Sequence, residues 1–269
     1  MWEEPCISGT AGSGTVFFAG CNLHCRFCQN YDISFVPHGE EVSCRLLADI
    51  MLYLQDEQAA NINLVSPSHF SDKIASSLEL VKHLLRIPVV YNTNGYEKKE
   101  ALARLEGLVD VYLPDLKFFD SSVSRRYAAA EDYFEVASLA VGEMRRQQPQ
   151  DVFNADGYMT NGVIVRHLVL PSCVEDSKKI LDFLAKLDNS IYVSIMSQYF
   201  AARFDDKYSE LNRKLYRREY DAVLEYFYNV GLTNGYAQDF ESATRDYLPE
   251  FDDSELAKIL SRVKRVFDE

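Results

Sequence analysis

Apolar positions along this chain follow two alternating rhythms. Short continuous runs, at residues 15–19, 62–65, 88–91, 109–113, 163–170 and 191–195, have the length and bounding turn residues of strands buried on both faces. Between them the apolar residues recur every three or four positions. Leu46, Leu47, Ile50, Met51 and Leu54 form one stripe, and the spacing predicts helices over 46–54, 74–85, 98–105, 124–147 (broken near Ala130), 178–187 and 218–228. The turn residues Asn154-Ala155-Asp156-Gly157 make 151–160 a hairpin-like excursion. Strand alternating with helix, six times over, is the pattern of an α/β domain with parallel strands and crossover helices.

Composition narrows this picture. At 269 residues with 47% hydrophobic content, the chain is long enough for one large domain with a sizeable core. A formal charge of −13 argues against a nucleic-acid backbone as partner, which would want a basic face, and leaves room for a small basic substrate or a basic electron donor. No apolar run is long enough to span a bilayer, so no membrane partner is expected. The start carries no charged-then-apolar leader, and a cytoplasmic location is the expectation. SGTAGSG, near the start, lacks the Gly-Lys-Ser/Thr ending of a phosphate loop and reads as a flexible lead into the first strand. The tail from Tyr236 is acidic, with a helix expected over 254–266 that packs on the main body. The domain expectation is a body over 1–235 and a helical extension over 236–269.

The stretch with the most chemistry is GCNLHCRFCQN, directly after the first strand. Cys21, Cys25 and Cys28 are spaced Cys-x3-Cys-x2-Cys. Three thiolates from one short loop can hold three irons of a cubane 4Fe–4S cluster. Cys6, Cys44 and Cys173 are scattered singly, so no fourth cysteine lies nearby and one iron is left for a non-protein ligand. A structural zinc site with His24 or a distant residue is the alternative, although zinc loops usually bring cysteines in pairs. Disulfides are not needed in a chain of this size without a secretory signal.

The string TVFFAGCNLHCRFCQNYDIS, with Phe27 just before the last cysteine, resembles the signature of the radical S-adenosylmethionine (SAM) superfamily. It is similar to the branch containing the pyruvate formate-lyase activating enzyme and its uncharacterised iron–sulfur relatives, with weaker likeness to about Leu232. Relatives of this type often carry a longer N-terminal part. The resemblance implies a partial (β/α)6 TIM-like barrel, whose chemistry gathers at the carboxyl ends of the strands.

What the resemblance implies for the site follows the strand ends in order. Phe27 lies beside the adenine of SAM. After the second strand, Ser66-Pro67-Ser68-His69 stands where the family has a Gly-Gly-Glu-like motif for the SAM amino group. With no carboxylate there, Ser66, Ser68 or neutral His69 has to accept those hydrogen bonds, and the same serines are also candidate helix caps. Asn92-Thr93-Asn94-Gly95 resembles the Asp-Thr-Asn-Gly that positions SAM and a monovalent cation, although Asn92 removes a charge and Asn-Gly is also a common turn. Asp115 and Lys117 match an Asp-x-Lys pair. Lysine there meets the SAM carboxylate, and aspartate meets a ribose hydroxyl or the lysine itself. Arg166 in VIVRHLVL faces the SAM carboxylate or ribose, since a charge inside an apolar strand needs a partner. His167 points to the opposite face as a packing or capping residue. Met196 is a candidate wall against adenine.

The implied activity is reductive cleavage of SAM at the 4Fe–4S cluster, with an electron from flavodoxin or ferredoxin. The resulting 5′-deoxyadenosyl radical takes a hydrogen atom from a substrate. That substrate is a protein, as when a glycyl radical enzyme is activated, or a small molecule or peptide side chain. A non-catalytic metal-binding module is the remaining alternative.

Overall fold

The computed structural model describes residues 4–36, 38–201, 205–240 and 253–267. A single turn of helix, α1 (Pro5–Ser8), leads into β1 (Gly14–Phe17). The cysteine loop and the short α2 (Tyr31–Phe35) follow. Then come α3 (Cys44–Asp56), β2 (Ile62–Val65), α4 (Ser71–Val81), β3 (Val89–Thr93), α5 (Lys99–Ala103) and β4 (Val111–Pro114). The chain continues through α6 (Ser121–Ala128), α7 (Tyr133–Gln147), β5 (Val152–Phe153), β6 (Met159–Leu168), α8 (Val174–Leu187), β7 (Tyr192–Met196), α9 (Arg217–Asn229), β8 (Gly235–Ala237) and α10 (Asp253–Arg262).

The sheet runs β1-β2-β3-β4-β6-β7-β8, every neighbour parallel, with β5 paired antiparallel to the start of β6. Among the described residues no ladder joins β8 to β1, so the sheet is a barrel left open along one seam. This is the partial TIM-like barrel anticipated. The break near Ala130 is also present, where Ala129 ends α6 in the left-handed conformation (φ +57°).

Side chains alternate across the sheet, as the pleat requires. Outward residues such as Leu64, Tyr112, Val165 and Ile195 meet the inner stripes of the helices in the main core. Inward residues Val90, Val111, Leu113 and Ile164 form a smaller core with Cys6 and Ile7 of α1. The Asn61 side chain holds α1 there by donating to the Ile7 carbonyl at 2.7 Å. One end of the barrel, at the strand starts, is therefore stoppered by α1.

The structure departs from the sequence pattern at β8. Gly235-Tyr236-Ala237 has no apolar run to announce it, yet it pairs with β7 through Val193↔Gly235 and Ser194↔Tyr236. A Cβ at Gly235 would sit 2.0 Å from the Val193 carbonyl oxygen, so only glycine lets the two backbones approach this closely. The sheet thus runs past the boundary expected at 235. Beyond it, α10 (253–262) covers 254–262 of the 254–266 anticipated, Val263 is buried, and the Val266 and Phe267 N–H groups donate to Asp49 of α3 at 2.9 and 3.3 Å.

His167 lies on the outer face of β6, 1% exposed, as its place opposite Arg166 requires. Its Nδ1 is 2.7 Å from the Leu116 carbonyl oxygen and its Nε2 is 2.8 Å from Ser177 Oγ. A neutral ring that carries its proton on Nδ1 and accepts from the serine satisfies both contacts. Burial pushes its pKa from the ordinary 6.5 down to about 4. The unfolded chain therefore takes up this proton below pH 6.5 while the fold refuses it until about pH 4. Stability is lost as pH falls through that window, by about 3 kcal/mol in all. Urea denaturation at stepped pH should show this fall in the native protein and a shallower one in His167→Gln. Equal slopes in the two proteins would remove His167 as the cause.

Candidate functional site

The cysteine loop begins where β1 ends and is fastened from two sides. Gly20 N–H donates to the Ile33 carbonyl of α2 at 2.7 Å. His24 and Arg26 N–H donate to the carbonyls of Ala128 and Tyr127, at 3.2 and 2.8 Å, where α6 ends. Backbone bonds thus set the loop's course, and none of its sulfurs is spent on a disulfide. All six cysteines are free thiols. Cys25 is buried, and burial pushes its thiol up to about 12; burial raises Cys28 as well, opposed by a bond with Ser34. Loading a metal on these thiols would release their protons. Phe27 is 7% exposed and packs its ring against Phe118 and Tyr199, so it is a core aromatic whose edge also reaches the cavity.

Inside the barrel, above the apolar layer, the strand ends carry charge. Asp115 is gripped from both sides. Lys117 Nζ pairs with its Oδ2, and Arg166 Nε donates to its Oδ1 at 2.9 Å. Arg166 also donates to Asn92 Oδ1. Burial alone would raise the Asp115 carboxyl, but the charges of Arg166 and Lys117 hold it below the usual carboxylate range. Lys117 is in turn raised, because Asp115 outweighs the burial that would strip its proton. The Asp115–Lys117 pair is one of the two partnerships considered for Asp115, the Asp115–Arg166 pair is not foreseen by the sequence, and together with Asn92 they join the ends of β3, β4 and β6 into one network.

The Tyr133 hydroxyl, from the start of α7, sits behind that network. It accepts from Lys117 N–H at 3.0 Å and lies 2.9 Å from both the Asn94 and the Asp115 carbonyl oxygens. It therefore ties the β3 loop to the β4 loop. The two loops meet so closely that a Cβ at Gly95 (φ +80°) would come 2.2 Å from the Asp115 carbonyl oxygen. Nothing but glycine fits there.

After β2 the structure corrects two expectations. Ser66 (φ +58°) lines the cavity, but Ser68 and His69 do not. His69 Nε2 is 2.8 Å from the Ala19 carbonyl oxygen, behind the cysteine loop, where the ring serves as a prop. Ser68 Oγ faces Thr93 Oγ1 at 3.2 Å. β2 ends at Val65, and the helical turn over Ser68–Phe70 directs Ser68 to Thr93 and His69 to the Ala19 carbonyl. Thr93 in turn donates to Glu97 at 2.6 Å. Glu97 is 3% exposed; burial raises its carboxyl, and the bonds from Thr93 and Ser68 pull it back. The sequence reading passed over Glu97. Its only signal was a carboxylate two residues beyond the Asn94-Gly95 turn.

A cavity of about 250 Å³ opens where these loops meet. Its walls include Cys21, Cys25 and Cys28 on one side and Asp115, Lys117 and Arg166 on another. Of the other expected residues Phe27, Ser66, Asn92, Thr93, Asn94 and Met196 line it as well, and Gln29 and Gln198 join them unforeseen. Among the described residues no group of three or more His, Cys, Asp or Glu side chains is arranged to hold a metal ion. The three cysteines all border the cavity, and thiolates are the ligands that iron–sulfur clusters take.

The Tyr133 hydroxyl offers a direct check. Tyr133→Phe leaves Lys117 N–H and two partly buried carbonyls short of a partner, which costs about 1–3 kcal/mol. Thermal denaturation should show that loss. Unchanged stability would mean that the hydroxyl does not fasten the loops.

Comparison with known proteins agrees with this geometry. The family model for the radical SAM superfamily matches residues 15–147, from β1 through α7. An uncharacterized protein of Methanocaldococcus jannaschii is 32% identical over 232 residues, 82% of this chain and 64% of that protein. Among solved structures, Streptococcus suis SuiB bound to S-adenosylmethionine aligns over 91% of this chain and 55% of its own, with a TM-score of 0.59 and 13% identity. SuiB bound to its precursor peptide SuiA gives the same TM-score over 90% of this chain and 53% of its own, at 13% identity. The FeFe-hydrogenase maturase HydG of Carboxydothermus hydrogenoformans aligns over 93% of this chain and 56% of its own, with a TM-score of 0.53 and 15% identity. At such identities the likeness is one of fold. The chain spans just under two thirds of the Methanocaldococcus relative and about half of SuiB and HydG. Residues 15–147, which carry the cysteine loop at the mouth of the open parallel barrel, match the radical SAM superfamily, and the fold relatives share that barrel.

Proposed function

We propose that the protein is a radical SAM enzyme in which Cys21, Cys25 and Cys28 hold a 4Fe–4S cluster and the remaining cavity walls hold SAM. The observation that carries this reading is the meeting, in one cavity, of three free thiols with the Asp115–Lys117–Arg166 charge network. When bound and reduced, the cluster supplies the electron that splits SAM into methionine and the 5′-deoxyadenosyl radical, which takes a hydrogen atom from a substrate.

The chain's own residues orient and shelter that chemistry. Lys117 and Arg166 present cations to the SAM carboxylate, while Asp115 holds both in place. Ser66 and Thr93 offer hydroxyl acceptors to the ammonium, and the Glu97 carboxylate behind Thr93 polarises that hydroxyl. Asn92, anchored on Arg166, is left in reach of the ribose. Phe27 and Met196 form apolar walls for the adenine. The barrel's inner core beneath excludes water from the reacting centre.

The substrate is a hydrogen-atom donor, read first as the glycine of a glycyl radical enzyme, as the activating-enzyme-like signature suggests. A second reading, a small molecule or a peptide side chain, is supported by the replaced loop after β2 and by the fold shared with SuiB, which has been seen with a precursor peptide. A flavodoxin or ferredoxin is the proposed electron donor. Six free cysteines suit a reducing compartment such as the cytoplasm. No helix among the described residues is long and apolar enough to cross a membrane.

Anaerobic reconstitution with iron and sulfide, followed by dithionite and SAM, should yield 5′-deoxyadenosine by mass spectrometry. The yield should vanish in Cys21→Ala, Cys25→Ala and Cys28→Ala together with the cluster's iron. A well-assembled cluster that makes none would count against the enzyme reading and for a metal-binding module. Lys117→Ala should bind SAM roughly 10- to 100-fold more weakly with iron content unchanged, since one charge-assisted contact is lost while Asp115 keeps Arg166. Unaltered affinity would show that Lys117 faces something other than the SAM carboxylate.

A further inference from the structure

Asn94 was expected to contact SAM, but its hydrogen bonds give it a different task. Its Oδ1 accepts from Tyr96 N–H at 2.9 Å, which fixes the orientation of the amide. Its Nδ2 therefore points toward the cysteine loop, 2.6 Å from Asn22 Oδ1 and 3.4 Å from Cys21 Sγ. Asn22 is fixed in the same way, because its own Nδ2 donates to the Tyr96 carbonyl at 2.8 Å. One Asn94 hydrogen goes to Asn22, and the other has the Cys21 sulfur as its acceptor. Leu23 N–H, 3.4 Å from the same sulfur, is a second donor. The other two sulfurs are treated differently: Cys28 has the Ser34 hydroxyl at 3.7 Å, and Cys25 feels the Lys117 charge.

We propose that the Asn94 amide is a positioning residue for the cluster's redox behaviour: it donates to the Cys21 thiolate and makes the group held there easier to reduce. This rests on the cluster assignment above. Reduction adds one electron and hence negative charge to the thiolate-bound group, with no bond made or broken in the protein. A donor aimed at a ligating sulfur stabilises the more negative state, and such bonds are among the levers that set iron–sulfur potentials. Asn94 also links the loops after β1 and β3, so the redox lever and the wall of the cavity move together.

The test is an EPR-monitored redox titration of the reconstituted protein without SAM. Asn94→Asp keeps the side chain's shape but loses both donors; Asn94→Leu loses them without adding charge. Both should assemble the cluster with native iron content and titrate at a more negative midpoint, with the larger displacement in Asn94→Asp. Asn22→Ala, which removes the neighbour but not the donor, should shift less than either. A native protein that assembles no cluster would overturn the cluster assignment and this proposal together. Native iron content with an unmoved midpoint in both Asn94 variants would overturn this proposal alone. So would a loss of SAM affinity at constant midpoint, which would return Asn94 to the role of a SAM contact.

Discussion

A carboxylate buried inside a barrel must be neutralised, and Asp115 is neutralised twice. An unpaired charge at that depth would cost several kcal/mol, and removing one partner of a buried pair is more damaging than never having built it. Lys117 and Arg166 come from the β4 end and from the interior of β6, and Arg166 reaches on to Asn92 of β3. Three neighbouring strands thus have their carboxyl ends held in register by one charge. Lys117 keeps its proton because of it, and with the Arg166 guanidinium it presents a fixed positive face to the cavity. The Tyr133 hydroxyl extends the same logic to the backbone behind, where three peptide groups converge on one oxygen.

The cysteine loop is governed by a complementary constraint. A loop that must offer its sulfurs to a ligand cannot use them for its own fold. Its shape is set from outside instead, by the end of α6, by α2, and by the His69 ring under the Ala19 carbonyl. Arg26 leaves the loop toward solvent and lies over the Tyr208 ring, a cation–π contact that adds another external hold. The alternation of inward and outward residues does the rest, since Cys25 and Phe27 turn into the core while His24 and Arg26 turn out.

Much of this was legible in the sequence because buried parallel strands are written as bare apolar runs. INLV at β2 and VIVRHL in β6 declare themselves, and Arg166 stands out in the second as a charge that needs a reason. The strand-end rule then pointed to Asn92, Thr93, Asp115, Lys117 and Met196, which the structure brings to one cavity. What stayed hidden depends on contacts between distant segments. β8 is three residues long, and its pairing rests on the absence of a side chain at Gly235. His69 and Ser68 turn away because the chain enters a helical turn after Ser66, a matter of local geometry that composition does not encode. Glu97 is polar among polar neighbours in sequence, and only the fold shows that it is buried.

The stopper formed by α1 has a consequence for traffic. Ile7 closes the barrel at the strand starts, and Ser8 and Ser13 line the cavity from below. The cavity has a floor at the strand starts, and the cysteines line its wall toward the strand ends. On the proposed reading, the cofactor fills the depth and the substrate covers the opening, so the order of arrival is compulsory and the order of departure is its reverse. A slow last step would then belong to whatever sits over the mouth, and the reactive fragment beneath it would have no exit past α1.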